Sequence, residues 1–424
     1  MRASARSDAR WVSLVFLVAS AACGDPRPEP VAPPTPLDPV SADPPLEPDP
    51  PPPAPTRPPL ALDTHVDTTQ RMLDAHDDLS TRLPDGHLDF PRMREGGLSG
   101  AFFSIWVDPD EHPGEAAWDR ALALIGAVEQ LAAAHPDEAV LCADVACVRR
   151  AYDESKIALL MGVEGAHALG EPASDDALIA RIRELHRRGV RYMTITWSND
   201  NALGHSSGGS ARELGLTDLG RRAIRTMNRL GMIVDVSHVS DQTFWDIVEV
   251  AQRPLLASHS SCRALSDHPR NMTDDMIRAV ARGGGAVCVN YYTQFIDAGY
   301  GARRRRAEHE HRVALRAVRD AHRHSWQRWA PVNELVHREE PELTAPGLDV
   351  LGAHFARIVE LGGEGAACLG SDFDGVGELP AGLEDVSDLG ALRDELARRG
   401  LAVAPIMGEN VLRVLAAQTQ RAEP

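Results

Sequence analysis

Lysine is all but missing from this chain of 424 residues: Lys156 is the only one, so nearly all of the 44 basic residues are arginine. A Schiff-base mechanism, a P-loop lysine or a carboxylated lysine bridging two metals must therefore use Lys156 or be discarded. Positive charge is short altogether. Against 62 Asp+Glu the formal net charge is −18, which argues against nucleic acid or an anionic membrane surface as the main partner. No CxxC pair suggests a cysteine-bound zinc. Setting Cys23 aside leaves five cysteines, an odd number that makes no disulfide framework. Cys142 and Cys147 are near enough in sequence to bridge locally. Cys288 and Cys368 sit in apolar, strand-like runs and are expected as buried thiols. No internal repeat and no second folded domain is visible.

The N-terminal residues 1–22 read as an export signal. Arg2, Arg6 and Arg10 form a positive segment, and Trp11–Ala22 is apolar but too short to span a bilayer comfortably. Ser20-Ala21-Ala22-Cys23 then resembles a bacterial lipoprotein cleavage site with Cys23 as the lipidated residue, although Ser20 stands where leucine is usual. From Pro26 to Pro59, 17 of 34 residues are proline. Such a stretch builds neither a helix nor a ladder, and polyproline II makes it a semi-rigid spacer. Residues 23–59 are expected as a lipoprotein-type linker holding an exported domain, residues 60–424, at a membrane, in the periplasm or at the cell surface.

From Leu60 onward eight β-rich runs alternate with amphipathic segments. The runs are Leu60–Asp67, Leu98–Val107, Ile157–Glu164, Val190–Trp197, Met232–His238, Pro254–His259, Gly285–Tyr291 and Ala366–Asp372. Helical patterns between them include Glu115–Ala134, Asp175–Arg188, Leu219–Leu230, Asp241–Ala251 and Leu348–Leu361. This alternation predicts an α/β fold, a (β/α)8 TIM-like barrel. A polar insertion, Asp297–Pro346, follows the seventh strand, where it would lie over the barrel mouth, and a last helix spans Pro405–Gln418.

Barrel active sites are built at the carboxyl ends of the strands. Here the first run ends in His65-Val66-Asp67, the third in Glu164, the fifth in His238, the sixth in His259 and the eighth in Asp372. One such residue is ordinary; five of eight strands ending in metal-ligand types point to a metal site. Two residues apart on a strand, His65 and Asp67 face the same way and can share one ion. Glu164 can span two ions with its two oxygens, and His238 and His259 can complete the second. Imidazole and carboxylate without thiolate suit Zn2+, two per chain, with Mn, Fe or Co also compatible. Two such ions lower the pKa of a water and polarise a carbonyl, leaving Asp372 as general base and acid. Asp374 reads as a supporting or turn residue. Lys156 starts the run that Glu164 ends, roughly 26 Å away at ~3.3 Å per residue, and so is a poor bridging candidate.

The stretches DTHVDT, FPRMREGG, MGVEGAH, GVRYMTIT, GLTDLGRRAIRTMNRLGMIVDVSHVS, ASHSSCRAL, HPRNMTD, GSDFDGV and GLEDVSDL together resemble the membrane dipeptidase family, over about residues 60–418. The resemblance implies metallopeptidase activity at a binuclear zinc site. His65 and Asp67 would hold one zinc, His238 and His259 the other, with Glu164 bridging and Asp372 as the acid/base. It also implies that Arg270 holds the free carboxylate of the substrate, a role that suits the guanidinium fork. In one respect the sequence departs from the animal members. Trp197 follows RYMTIT where they carry a histidine against the scissile region, and His205 lies eight residues on. Trp197 is expected to contact substrate through its one N–H donor and its apolar face.

The resulting expectation is a metallo-dipeptidase acting on small peptides. Membrane contact is expected through a lipid anchor alone, and a homodimer is the assembly to test. An amidohydrolase-type hydrolase of another amide or ester is the rival, weakened because such enzymes typically open with His-x-His and often bridge through lysine. A non-catalytic surface binding protein on the same barrel is a third reading, which the intact ligand set opposes.

Overall fold

Nine short apolar segments form one parallel sheet: β1 (Leu62–Val66), β2 (Gly100–Trp106), β3 (Ala139–Leu141), β4 (Ile157–Glu164), β5 (Val190–Thr194), β6 (Ile233–Asp235), β7 (Leu256–Ala257), β8 (Ala286–Val289) and β9 (Ala367–Leu369). The computed structural model describes residues 57–419; the export segment, Cys23 and the proline stretch up to Thr56 lie outside the described residues. The strand order is β2-β1-β9-β8-β7-β6-β5-β4-β3, and β2 pairs β4 from Gly100↔Ala158 to Trp106↔Glu164. That pairing closes eight of the strands into the expected (β/α)8 barrel. β3 is the ninth, laid beside the first half of β4 in the register Ala139↔Ile157. Three residues are too few to announce a strand by pattern.

The strands read as continuous apolar runs because both faces are covered; every residue of β2 and β4 is buried. Alternation sorts them. Phe102, Leu160, Tyr192, Ile233, Cys288 and Cys368 share the barrel interior with Val411 and Leu415 of the last helix, Asn410–Thr419. Ala101, Phe103, Leu159, Met161 and Val287 pack outward against the helices. Those helices start where side chains cap them: Ser174, Thr217, Ser240 and Thr273 each accept from a backbone N–H three residues on. Each is followed by an aspartate, which favours the positive end of the helix dipole.

Two expectations need correction. Cys288 and Cys368 are not free thiols but a disulfide. They face each other across β8 and β9, a register that hydrophobic pattern alone does not fix. Cys142–Cys147 is also bridged, which leaves Cys262 as a buried free thiol. The strands are also shorter than the runs that announced them. The fifth run, Met232–His238, yields only Ile233–Asp235, and the eighth, Ala366–Asp372, only Ala367–Leu369. Beyond those points the backbone leaves the ladder to reach side chains: Ser237 N–H donates to Asp235 and Ser371 N–H to Asp63.

The insertion is helical, with Ala298–Glu310, Arg312–Asp320 and Trp329–Glu339 around a small core of Tyr300, Leu315, Val332 and Val336, and a 3-10 turn at Ser325–Arg328. It is joined to the barrel at two places. His324 lies 3.0 Å from Glu111 and 3.7 Å from Asp74, and the Trp326 indole donates to Asp74 at 3.3 Å. At the other junction Tyr300, His337 and Thr293 all donate to Glu378, six residues past Asp372. Among the described residues no helix is long and apolar enough to cross a membrane.

Candidate metal centre and active site

The six side chains singled out at strand ends meet at one point, all buried. Glu164 is the last residue of β4, and its two oxygens look opposite ways. Oε2 lies 3.4 Å from His65 Nε2; Oε1 lies 2.9 Å from His238 Nε2 and 3.4 Å from His259 Nε2. Asp67 Oδ2 lies 3.7 Å from His65 Nε2, and Asp372 Oδ1 lies 4.0 Å from it on the same side. Ligand atoms of His65, Glu164 and His259 lie within 4.8 Å of one another, as do those of His65, Asp67 and Asp372.

The chemistry of this donor set fits cations. His65 Nε2 and Asp67 Oδ1 are buried with no hydrogen-bond partner, a costly condition for polar atoms. His238 Nε2 and His259 Nε2 face each other at 2.8 Å, both also turned to Glu164. A far-side bond favours the His259 tautomer with its Nε2 lone pair directed inward, and another holds the His65 ring in place. His65 Nδ1 is 2.7 Å from the Tyr192 hydroxyl and His259 Nδ1 is 2.8 Å from Ser258 Oγ. Ser258 Oγ in turn donates to Asp235 at 2.6 Å, and Thr194 donates to the same carboxylate. Such backing orients metal-bound histidines. Tyr192 reaches His65 only because Gly162 has no side chain; a Cβ there would lie 2.0 Å from the tyrosine ring.

Burial and crowding of like charges shape the titrations. Desolvation raises Glu164 to about 7 and Asp372 to about 6. Burial pushes His238 and His259 well below the ordinary imidazole value. Burial opposes a charged His65 too, but the Tyr192, Glu164 and Asp67 groups around it outweigh that and raise it. The backbone is strained here as well. His238 and Asp372 both sit in the left-handed region, at φ 67° and 66°, unusual for residues with side chains. This turns each side chain inward just after its strand has ended.

Arg270 lies beside the cluster, 8% exposed. It donates to the His259 carbonyl at 3.0 Å and to Ser260 Oγ at 3.4 Å, over the Phe295 ring. Its Nε has no partner, and among the described residues no carboxylate pairs with it. Burial lowers it to about 10, so it stays charged at neutral pH. Trp197 also reaches the site, its ring 6.5 Å from that of His238 and 5.1 Å from that of Trp106. Arg270 and Trp197 line one cavity of about 270 Å3 with Asp67, Glu164, His238 and Asp372. His205 does not move in: its ring is bonded to the Gly215 carbonyl. Lys156 pairs with Glu154 at the start of β4, away from the site. Asp374 accepts from Thr68 and from the His87 backbone, which makes it a brace for the loop.

Sequence reasoning missed Tyr192, Ser258, Asp235 and Asn290, whose amide donates to Asp372 at 2.9 Å. It also missed Trp326 and Trp329, which the insertion adds to the cavity wall. Asp235 and Ser258 carried a signal, since each is polar inside an apolar strand run. Trp326 and Trp329 carried none, because contact across an insertion depends on tertiary placement.

A closed parallel barrel that gathers buried imidazoles and carboxylates at its carboxyl end defines a metal-dependent hydrolase scaffold. The sequence model of the membrane dipeptidase family, peptidase family M19, matches residues 57–424, and the chain belongs to that family. Solved structures agree. A structure described as dipeptidase AC, a metallopeptidase of family M19, is 26% identical, with a TM-score of 0.68, over 85% of this chain and 98% of its own. A metallopeptidase from Rhodobacter sphaeroides, liganded with a phosphinate mimic of the dipeptide L-Ala-D-Ala, is 25% identical, with a TM-score of 0.67, over 85% and 99%. The probable dipeptidase PvdM from Pseudomonas aeruginosa, 23% identical with a TM-score of 0.72 over 86% and 96%, shares the fold. The protein is a metallo-dipeptidase: a metal-dependent hydrolase of small peptides.

The raised Glu164 titration has a measurable sign. A carboxyl whose pKa rises from 4.5 to about 7 on folding keeps a proton that the unfolded chain has released, so it costs stability as pH rises through that interval. Glu164→Gln removes this one titration. In chelator, the stability of the variant relative to wild type is expected to climb between about pH 4.5 and 7 and to level off above. A flat difference across that range would show that Glu164 is not held protonated by burial.

Proposed function

We propose that this enzyme hydrolyses dipeptides with a free C-terminal carboxylate at a site holding two zinc ions. One observation carries the carboxylate part: Arg270 is a buried guanidinium without a carboxylate partner, in the same cavity as the imidazole–carboxylate cluster. A buried cation left unpaired is costly and is balanced by an anionic ligand. The dipeptide mimic held by the Rhodobacter sphaeroides relative agrees with this substrate class. His65 and Asp67 would hold one ion, His238 and His259 the other, and Glu164 both, one through each oxygen. When bound, such ions polarise the scissile carbonyl and make a water acidic enough to attack near neutral pH.

The chain's own residues do the rest. Arg270 fixes the carboxylate end of the substrate, so the adjacent peptide bond lies over the cluster. Asp372 is turned toward that cluster by its left-handed backbone and by Asn290. With its pKa raised to about 6, it accepts the proton of the attacking water and passes it to the leaving amine. Trp197 presses an indole on the scissile region in place of an imidazole and exchanges no proton. Trp326 and Trp329 add apolar surface to the cavity wall.

Elemental analysis is expected to give about two metal equivalents per chain. Asp372→Asn is expected to keep both while activity falls at least ~100-fold. Loss of metal in that variant would make Asp372 a ligand instead.

Removing Arg270 is expected to act mainly on KM, because the carboxylate is gripped equally before and during the reaction. Arg270→Ala should lose about 1.5–3 kcal/mol, roughly 10- to 150-fold in kcat/KM. Arg270→Lys should suffer too, lacking the fork. The control is an amidated dipeptide, poor for wild type and no worse for Arg270→Ala. Equal cleavage of amidated and free dipeptides by wild type would remove Arg270 from this role.

We further propose that the chain is exported and anchored through Cys23. The positive and apolar segments before it and the proline spacer after it support this, and two disulfides suit an oxidising compartment. Cys23→Ser should release the protein from membranes or block its processing. Wild-type protein found soluble with an unmodified N-terminus would rule out the anchor.

A further inference from the structure

Beside the catalytic cavity lies a second one of about 290 Å3, between the insertion and the barrel loops that carry Tyr292 and Gly377. The two share Tyr292, Trp329 and Gly377, so they adjoin across these residues. Tyr292 also belongs to the Arg270 side of the site, its ring 4.9 Å from that of Phe295, over which Arg270 lies. The second cavity is lined by three arginines, Arg304, Arg319 and Arg328, and by a single carboxylate, Glu308. In a chain of net charge −18, such a local excess of positive charge is notable.

Two of the three arginines have no carboxylate partner among the described residues. Arg304 is 3% exposed. Its Nε donates to Glu308 at 3.0 Å and its Nη2 to Asn333 at 2.6 Å. Its Nη1 is buried with no hydrogen-bond partner. Glu378 Oε2 lies 3.5 Å from that nitrogen but already accepts from Tyr300 and Thr293, while its other oxygen takes His337. Arg328 donates only to the His322 and Arg323 carbonyls. Among the described residues neither Arg319 nor Arg328 pairs with a carboxylate. Arg304 is thus charge-paired with Glu308 and Glu378 and keeps one N–H without a hydrogen bond, while the half-buried Arg328 and the exposed Arg319 beside it have no counter-charge; two unbalanced guanidinium groups on one cavity suit an anion.

We propose that this cavity is a carboxylate-binding subsite, which takes the acidic side chain of the substrate's C-terminal residue. The inference rests on the dipeptidase reading above. In this proposal the α-carboxylate is held at Arg270, over Phe295, and the C-terminal side chain is directed past Tyr292, which packs on Phe295 and lines both cavities. The preferred substrate therefore ends in glutamate or aspartate, and the insertion sets that preference while the barrel does the chemistry.

The test compares Ala-Glu, Ala-Gln and Ala-Ala on the full metal-loaded enzyme. Wild type should favour Ala-Glu over Ala-Gln by at least roughly 10-fold in kcat/KM, the scale of one charge-assisted pair. An Arg319→Gln/Arg328→Gln double variant, altered at the cavity rim and away from the cluster, should lose that preference and leave Ala-Ala unchanged. Equal rates for Ala-Glu and Ala-Gln in wild type would overturn the proposal, as would an equal slowing of all three dipeptides in the variant. If inorganic phosphate slows Ala-Ala hydrolysis in wild type but not in the variant, and Glu and Gln are treated alike, the cavity takes free anions and the substrate assignment falls. Calorimetric binding of free glutamate and glutamine reads the subsite without turnover: glutamate should bind more tightly, and only to wild type. Failure to cleave any of the three would refute the dipeptide reading instead, and the calorimetry would still decide the subsite.

Discussion

Three carboxylates and three imidazoles cannot be buried against one another in a barrel mouth without a compensating positive charge. Asp67, Glu164 and Asp372 lie around His65, and Glu164 also faces His238 and His259. Burial, reinforced by this crowding, raises Glu164 to about 7 and Asp372 to about 6, and His65 Nε2 and Asp67 Oδ1 have no partner. Cations replace protons at such sites and relieve the repulsion. Much of the surrounding structure serves to keep these groups in place despite their mutual cost: the tyrosine behind His65, the serine and aspartate behind His259, the asparagine on Asp372.

That burden explains where strain is accepted. His238 and Asp372 leave their strands early and adopt left-handed backbone, while Glu164 needs no such turn because β4 runs straight to it. The barrel below is ordinary by comparison, with alternating apolar side chains inside and out. Rigidity in that lower half lets a few residues at the top be held in unfavourable conformations.

The sequence made the chemistry legible because the barrel translates position along a strand directly into position in space. Residues at the ends of separate runs, far apart in the chain, had to meet if the runs formed a barrel, and they did. Motif resemblance then pointed to Arg270, which spacing alone would have left as a loop residue. What stayed hidden depends on pairings that no local pattern encodes. The Cys288–Cys368 bridge required the register of β8 against β9. The Asp235–Ser258–His259 chain required the side-by-side packing of β6 and β7. Strand ends were overestimated because the apolar pattern continues through residues whose backbone has already turned to serve the site.

Glu378 ties the insertion to the loop that carries Asp372, six residues before it. The two segments are therefore not independently adjustable. A lineage that rebuilds the insertion to suit another peptide must keep a hydroxyl or imidazole aimed at this one carboxylate, or else loosen the loop that carries Asp372. Variation in the insertion is thereby filtered through its joints to the barrel, Glu378 above all, and replacing the insertion wholesale would be expected to disturb turnover even where the imidazole–carboxylate cluster is left in place.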